Sequence, residues 1–280
     1  MTDEELRQIQ LKELEILKIV IDICERHNIT YYAAGGTLLG AVRHKGFIPW
    51  DDDVDIEIIR PDYDRFIKYA SEELPDNLRL ENYKLTPDKS KIPFLKILDS
   101  DTQLVLNYAA KPIYTNLFID IFPFDGMPDG KFRLKFFKMR VLWLRMLRNY
   151  ADMDGVHMHR KNRPFIERFL IRFGQITHIG KLLNYSKITD KTEKYMSKFD
   201  IRKSSNYFSV YGAYKFREIM PADYYGHGRK YQFENIEING PEHGEKVLEN
   251  LYGDFRKLPP VEERHIQHSM EIITLGKDET

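Results

Sequence analysis

Apolar residues recur at helical spacing from the start of the chain. Leu6, Ile9, Leu14, Leu17, Ile21 and Cys24 share one stripe, and Thr2 with Glu5 three residues later has the form of a capping box. This predicts a helix from Thr2 to about His27 with one face in a core. The period then shortens. Tyr31 to Ala34 reads as a strand, Gly35-Gly36 as the turn off its end, and Thr37 as the cap of a short helix from Leu38 to Arg43. Alternation from Val54 to Ile58 predicts a strand with Asp53, Asp55 and Glu57 on one face and Val54, Ile56 and Ile58 packed behind. Pro61 opens another helix, with Tyr63, Phe66, Ile67 and Ala70 as its stripe. Leu78 to Tyr83, Phe94 to Leu98 and Asn116 to Phe124 follow as strands, the last interrupted by Asp120 between Ile119 and Ile121.

Beyond these lie two basic helices, Lys131 to Tyr150 and Pro164 to about Leu183. The first carries seven cations and no acid. Tyr231 to Asn239 reads as a hairpin closed around Glu234-Asn235, and Pro241 to Tyr252 as a helix ending at Gly253. The pattern predicts an α+β fold: a mixed sheet flanked by helices, with a basic helical insertion. We divide it into a core over 1–130, a basic helical region over 131–200, and a C-terminal part over 201–280 that packs back on the core.

Composition narrows the classes. The 280 residues, 42% hydrophobic and 31% charged, are ordinary for a globular protein. One cysteine, Cys24, excludes an internal disulfide and a Cys-based zinc site, and its apolar neighbours make it a structural thiol. No run approaches the length of a membrane span, and the polar N-terminus has no leader-like apolar stretch, so a cytoplasmic location is expected. Net charge is zero but uneven. From Lys131 to Lys181 thirteen Lys or Arg face only Asp152, Asp154 and Glu167. The first basic helix is either core-packed with a solvated basic face or a surface helix resting on anionic lipid, peripheral on the inner membrane face. No nucleic-acid partner is expected.

The chemistry concentrates between Tyr31 and Ile59. Two glycines precede a basic cluster at Arg43, His44 and Lys45, and then come Asp51, Asp52, Asp53, Asp55 and Glu57. Carboxylates crowded on one face repel, and a divalent cation explains their placement; hard oxygen ligands suit Mg²⁺ or Mn²⁺. The glycines either make a tight turn or let the backbone approach a phosphate at the following helix N-terminus. Asp120 needs a partner in its apolar strand, either a buried Arg or a metal shared with Asp53 and Asp55. Arg43, Lys45 and Lys96 are candidate phosphate ligands, although a solvated strand lysine is the plain alternative for Lys96. The set suits phosphoryl transfer, which needs positioning and charge neutralisation. Two weaker clusters, Asp152-Asp154-His157-His159 and His265-His268, have the residue types but not the convincing spacing of metal sites.

GGTLLGAVRHKGFIPWDDDVDI, twenty-two residues from Gly35 to Ile56, resembles the signature of the LicD family, which includes fukutin and fukutin-related protein. Gly35-Gly36, Asp53-Val54-Asp55 and Asp120 match in order the Gly-Gly/Ser turn, D-x-D strand and distant Asp of the nucleotidyltransferase-fold superfamily. FPFDG, the KILD around Lys96, and the stretch from MPADYYG through LYGDFRKLPP also look family-like, extending the resemblance from about Thr30 to Pro260.

The resemblance implies a nucleotidyltransferase-like sheet and transfer of phosphocholine from CDP-choline to a hydroxyl of a cell-surface glycan precursor, such as a lipid-linked teichoic acid. It implies Asp53 and Asp55 as metal ligands and Asp120 as ligand or general base, with Asp51 and Glu57 further out. Gly35, Gly36, Thr37, Arg43, Lys45, Trp50 and Lys96 are the expected substrate contacts. Trp50, Tyr211 and Tyr252 are candidates for an aromatic cage around choline. Ribitol phosphate from its CDP donor, NMP transfer from an NTP, and a non-catalytic membrane-associated partner are the competing readings.

Overall fold

The computed structural model describes residues 1–87, 89–107, 112–153, 165–264 and 270–276. Helix α1 (Asp3–Arg26) starts at the predicted capping box, with Glu5 N–H donating to Thr2 Oγ1 and Thr2 N–H to Glu5. Strand β1 (Tyr31–Ala33) leads directly into α2 (Gly35–Arg43), and β2 (Asp55–Ile59) into α3 (Arg60–Glu73), with Pro61 in the first turn of α3. The next three strands are β3 (Leu78–Glu81), β4 (Leu95–Leu106) and β5 (Ile113–Gly126).

The main sheet runs β1-β2-β5-β4 and ends in a strand absent from the sequence reading, β10 (Met270–Thr274), with β3 also paired to β4. Among the described residues only β2 and β5 are parallel neighbours, in a register that sets Asp55 beside Asp120. The remaining ladders in this path are antiparallel, so the sheet is mixed. Both β4 and β5 run well past their predicted ends. Their extensions begin in polar runs, Asp99 to Gln103 in β4 and Thr115-Asn116 in β5, which weakens the apolar signal, and pairing with each other across a register shift between Asp99 and Leu104 extends them.

Apolar residues of α1, α2, α3 and the sheet make one large core. After β5 come α4 (Lys131–Ala151), α5 (Phe165–Thr177) and α6 (Tyr185–Met196). The predicted second basic helix ends six residues early, and Ile179–Leu182 form a separate 3-10 turn after His178, whose φ of 52° breaks the α-helix. A smaller core lies under α4, where Phe137 and Val141 meet Met196, Phe208 and Val210. Strands β6 (Asn206–Phe208) and β7 (Met220–Pro221) continue from the end of β5. The hairpin β8 (Arg229–Phe233) and β9 (Ile236–Gly240) turns at Glu234-Asn235 as predicted, and α7 (Gly244–Tyr252) ends at Gly253 with φ of 72°. Among the described residues no helix is long and apolar enough to cross a membrane.

Candidate active site

Between β2, β5 and the turns around 209–225 lies a cavity of about 240 Å³. Asp53, Asp55, Glu57 and Asp120 line one side of it together with Gly35. Strand periodicity explains the group: Asp55 and Glu57 are two apart on β2, Asp120 and Phe122 two apart on β5, and the parallel register aligns the pairs. Phe94, Tyr211, Tyr214, Tyr225 and Glu218 complete much of the opposite wall. Among the described lining residues there are five carboxylates and no Lys or Arg.

The glycine pair has a role more specific than a turn. Gly35, at φ 47°, opens α2 itself, and a Cβ there would come within 3.2 Å of Asp55 Oδ2. A Cβ on Gly36 would stand 2.4 Å from Asp51 Oδ2, a distance no side chain accepts. The two glycines therefore admit two carboxylates to the first turn of α2, where free N–H groups favour negative charge. Thr37 is not the cap that sequence suggests. Because the helix starts at Gly35, Thr37 lies inside its first turn, and its Oγ1 accepts the N–H of Asp55 at 2.8 Å. That bond, with Ala34 N–H donating to Asp55 O and Asp120 N–H to Val54 O, fixes the acidic strand against its neighbours.

Lys96 faces Asp120 across the β4–β5 ladder, and its Nζ stands 2.6 Å from Asp120 Oδ1. The contact is an ion pair between two largely buried side chains. Lys96 Nζ also lies 3.2 Å from the centre of the Phe118 ring. The partner that Asp120 needed is thus a lysine rather than an arginine, and Lys96 is not a solvated strand lysine.

The structure does not bring Arg43, Lys45 or Trp50 to the cavity wall. Arg43 donates to Phe255 O at 2.7 Å and to His44 Nε2 at 2.9 Å. Lys45, at φ 63° just past α2, turns its Nζ to Val42 O, and its carbonyl accepts from Glu234 N–H of the hairpin. Trp50 lies edge-on to His44 with the Arg264 guanidinium over its ring. All three serve the junction between the α2 exit and the C-terminal segment. Of the other cage candidates, Tyr211 lines the cavity, while Tyr252 stands beside Tyr214 and near Gly35. Asp152 pairs with Lys91, and Asp154, His157, His159, His265 and His268 lie outside the described residues.

Electrostatics single out the same wall. Burial, and then repulsion from Asp53, Asp120 and Asp51, holds the Asp55 carboxyl well above its usual range, with Lys96 pulling it back. Glu13 of α1, buried with Oε2 unpartnered, is raised by burial and by Asp53, Asp52, Asp51 and Asp120. Burial and neighbouring Glu218 raise Glu57, against a hydrogen bond from Tyr225. Glu218 is pushed up to about 7, mostly by burial, although Tyr214 N–H and Arg145 pull it down. Hard oxygen donors that repel one another suit a divalent cation, and Asp53, Asp55 and Asp120 are the donors available on this wall. As the side chains stand, no three His, Cys, Asp or Glu among the described residues converge on one point. Lys96 holds the third carboxylate instead.

Sequence reasoning missed Glu13, Tyr214, Glu218 and the Phe94–Phe122 pair, whose rings are 4.4 Å apart. Phe122 was legible from strand alternation with Asp120. Tyr214 and Glu218 come from short irregular turns that carry no periodic signal.

Residues 28–140 match the model of the LicD/FKTN/FKRP nucleotidyltransferase domain. Across 96% of this chain and 98% of the relative, the sequence is 29% identical to a lipopolysaccharide cholinephosphotransferase LicD of Haemophilus influenzae. A shorter stretch, 17% of this chain and 10% of the relative, is 44% identical to the ribitol 5-phosphate transferase FKRP of human and of mouse. The matched domain contains Gly35, Gly36, Asp53, Asp55, Lys96 and Asp120 together, and the full-length likeness carries the relationship through the helical region and the C-terminal turns. Residues 28–140 thus match a LicD-type nucleotidyltransferase domain, and the chain is similar along nearly its whole length to a LicD cholinephosphotransferase.

Proposed function

We propose that this phosphotransferase moves phosphocholine from CDP-choline to a hydroxyl of a cell-surface glycan precursor, such as a lipid-linked teichoic acid, and releases CMP, on a nucleotidyltransferase-like core. The observation that carries the reading is the register of β2 and β5, which sets Asp55 beside Asp120 with Asp53 on the same cavity wall. The acceptor oxygen forms a bond to the choline-bearing phosphorus while the bond from that phosphorus to the CMP oxygen breaks. The acceptor proton passes to Asp120, and Lys96, 2.6 Å from Asp120, is placed to exchange that partner for a donor phosphate oxygen. Thr37 keeps the Asp55 backbone in place, and Gly35 and Gly36 leave room for the Asp55 and Asp51 carboxylates. Mg²⁺ or Mn²⁺, held by Asp53 and Asp55 with Asp120 within reach once Lys96 releases it, would neutralise pyrophosphate charge.

The other cavity wall favours choline over an uncharged alditol. A quaternary ammonium is held by ring faces, and Phe94, Tyr211 and Tyr214 line the cavity with Glu218, Phe122 joining them from the carboxylate side. A ribitol chain would instead need hydrogen-bonding groups along its length, and much of this wall is aromatic carbon. The name of the Haemophilus relative supports the same choice, while the FKRP likeness covers only 17% of this chain.

The experiment is CMP release from CDP-choline and from CDP-ribitol by the purified chain, with a glycan acceptor and with Mg²⁺ or chelator. Metal-dependent release from CDP-choline is expected, reduced about 10²–10³-fold in Asp53→Asn, as for loss of a major charge-stabilising contact. Release from CDP-ribitol alone would keep the mechanism and reject choline. Full activity in Asp53→Asn or in chelator would reject the metal role. Turnover of CTP or ATP without any CDP-alcohol would favour nucleotidyl transfer.

A further inference from the structure

We propose that the outward faces of α4 and α5 form a docking surface that seats aromatic side chains in the interface of an anionic lipid bilayer. Helix α4 has two apolar stripes where a surface helix needs one. Phe137 and Val141 are buried in the smaller core, and Leu144 is buried on the same stripe. On the other side Phe132, Phe136, Met139 and Trp143 recur at i, i+4, i+7 and i+11 and are exposed, Phe132 by 91%. Helix α5 repeats the device with Phe165, Phe169, Phe173 and Ile176, Phe165 being 76% exposed. Scattered exposed apolar residues need no explanation, but two successive helices with continuous aromatic stripes do.

Charge selects the occupant. Lys131, Arg133 and Lys135 are exposed alongside the α4 stripe, and Arg168 and Arg172 alongside that of α5. Helix α4 contains no acidic residue. Aromatic side chains flanked by Lys and Arg are the composition of helices that lie in a headgroup region. A second copy of the same face would bring like charges together in a two-fold contact, which opposes self-association. An open groove beside the start of α4 adds to the match: Phe132, Phe136, Arg133, Lys198 and Lys203 line it, with Asp129 and Asp200 also present. The smaller core that holds α4 also packs Tyr211 of the catalytic cavity, so the docking face and the cavity belong to one packed unit. This inference stands independently of the transferred group, because none of its stripe residues lines the cavity.

The test is flotation of the full chain with vesicles of phosphatidylcholine alone and of phosphatidylcholine mixed with phosphatidylglycerol, at low and high salt. We expect flotation with the anionic vesicles, weakened by salt, and a blue shift of tryptophan emission that disappears in Trp143→Phe. The triple variant Phe132→Ser/Phe136→Ser/Phe169→Ser should lose about tenfold or more in vesicle partitioning, as removal of buried apolar area from an interfacial helix implies. Its soluble CMP release should equal that of the parent, which separates this proposal from the transferase reading. Absence of flotation with both vesicles, or unchanged flotation of the triple variant, overturns it. So does a dimer in light scattering that the triple variant abolishes while vesicles bind neither protein; the face would then belong to a second copy.

Discussion

The β1–α2–β2–β5 wall and the α4–α5 region invert one another's rules of burial. In the first, Asp51, Asp52 and Glu57 are buried with the carboxylates of Asp55 and Glu13 pressed among them. In the second, Phe132, Phe136 and Trp143 face outward while lysines and arginines flank them. Each arrangement is unfavourable for an isolated protein. Buried carboxylates without compensation destabilise a fold, and exposed aromatic stripes invite association. Each has a proposed counterpart, a cation for the first and a lipid interface for the second. The comparison teaches that departures from ordinary burial, more than ordinary burial itself, mark where this chain meets other molecules.

Between the two regions stands Arg60. At the start of α3 it donates two hydrogen bonds to the fully buried Asp125 at 2.7 Å and reaches Glu193 of α6, which in turn accepts from Tyr211. Arg60→Ala leaves a buried carboxylate without its cation. We expect a loss of about 3–5 kcal/mol in urea denaturation, the range for breaking a buried ion pair by removing one partner. If the network also positions Tyr211, Arg60→Lys should recover much of the stability but raise KM for the CDP-alcohol, since one ammonium cannot replace a bidentate fork. Unchanged stability in Arg60→Ala would mean that the helical region is not braced against the sheet here.

Helix α4 allows the comparison within a single element. Phe137 is fully buried against Phe208 and Tyr195, and Phe137→Ala should cost about 3 kcal/mol, near the low end for a core phenylalanine. Phe132, five residues earlier, makes the exposed stripe, and Phe132→Ser should change stability by less than about 0.5 kcal/mol. Equal losses in thermal or urea unfolding would show that the outer stripe is packed in solution, and the contrast between regions would collapse.

Much of this was legible in the sequence for a physical reason. Periodic burial imposes periodic sequence, so α1, α3, α4, the hairpin and the Asp53-Asp55-Glu57 face could be read from spacing. Asp120 was conspicuous because an ionisable residue in an apolar strand needs a partner, although spacing could not say that Lys96 supplies it. Thr37 misled because a hydroxyl after two glycines looks like a cap, whereas Gly35 can itself take the positive φ that starts the helix. Glu13 was hidden in a helix whose apolar stripe suggested no polar burial at all. The cationic residues near the glycines suggested phosphate contacts. Their actual partners, Phe255 O and Val42 O, depend on a C-terminal segment and a local turn that no local pattern encodes.

The smallest expected effect tests the carboxylate side of the comparison by pH. Glu218, pushed up to about 7 in the fold by burial, would return to its ordinary carboxylate range near 4.5 on unfolding. Between those values the folded state holds more proton than the unfolded state. Stability contributed by Glu218 is therefore present below about pH 4.5 and falls as pH rises through about 7. Glutamine cannot ionise, so Glu218→Gln should remove that part of the slope, and its stability relative to the parent should rise from pH 5 to pH 8. Parallel profiles from denaturation at both pH values would show that Glu218 is solvated or held as a carboxylate by Arg145. If instead the profiles diverge as expected, a cationic headgroup beside Glu218 should bring its raised proton affinity back down. Adding choline phosphate should narrow the difference between parent and variant, whereas ribitol phosphate should leave it in place. That last contrast connects the titration to the identity of the alcohol, because only a ligand with positive charge stabilises the ionised glutamate against the aromatic wall.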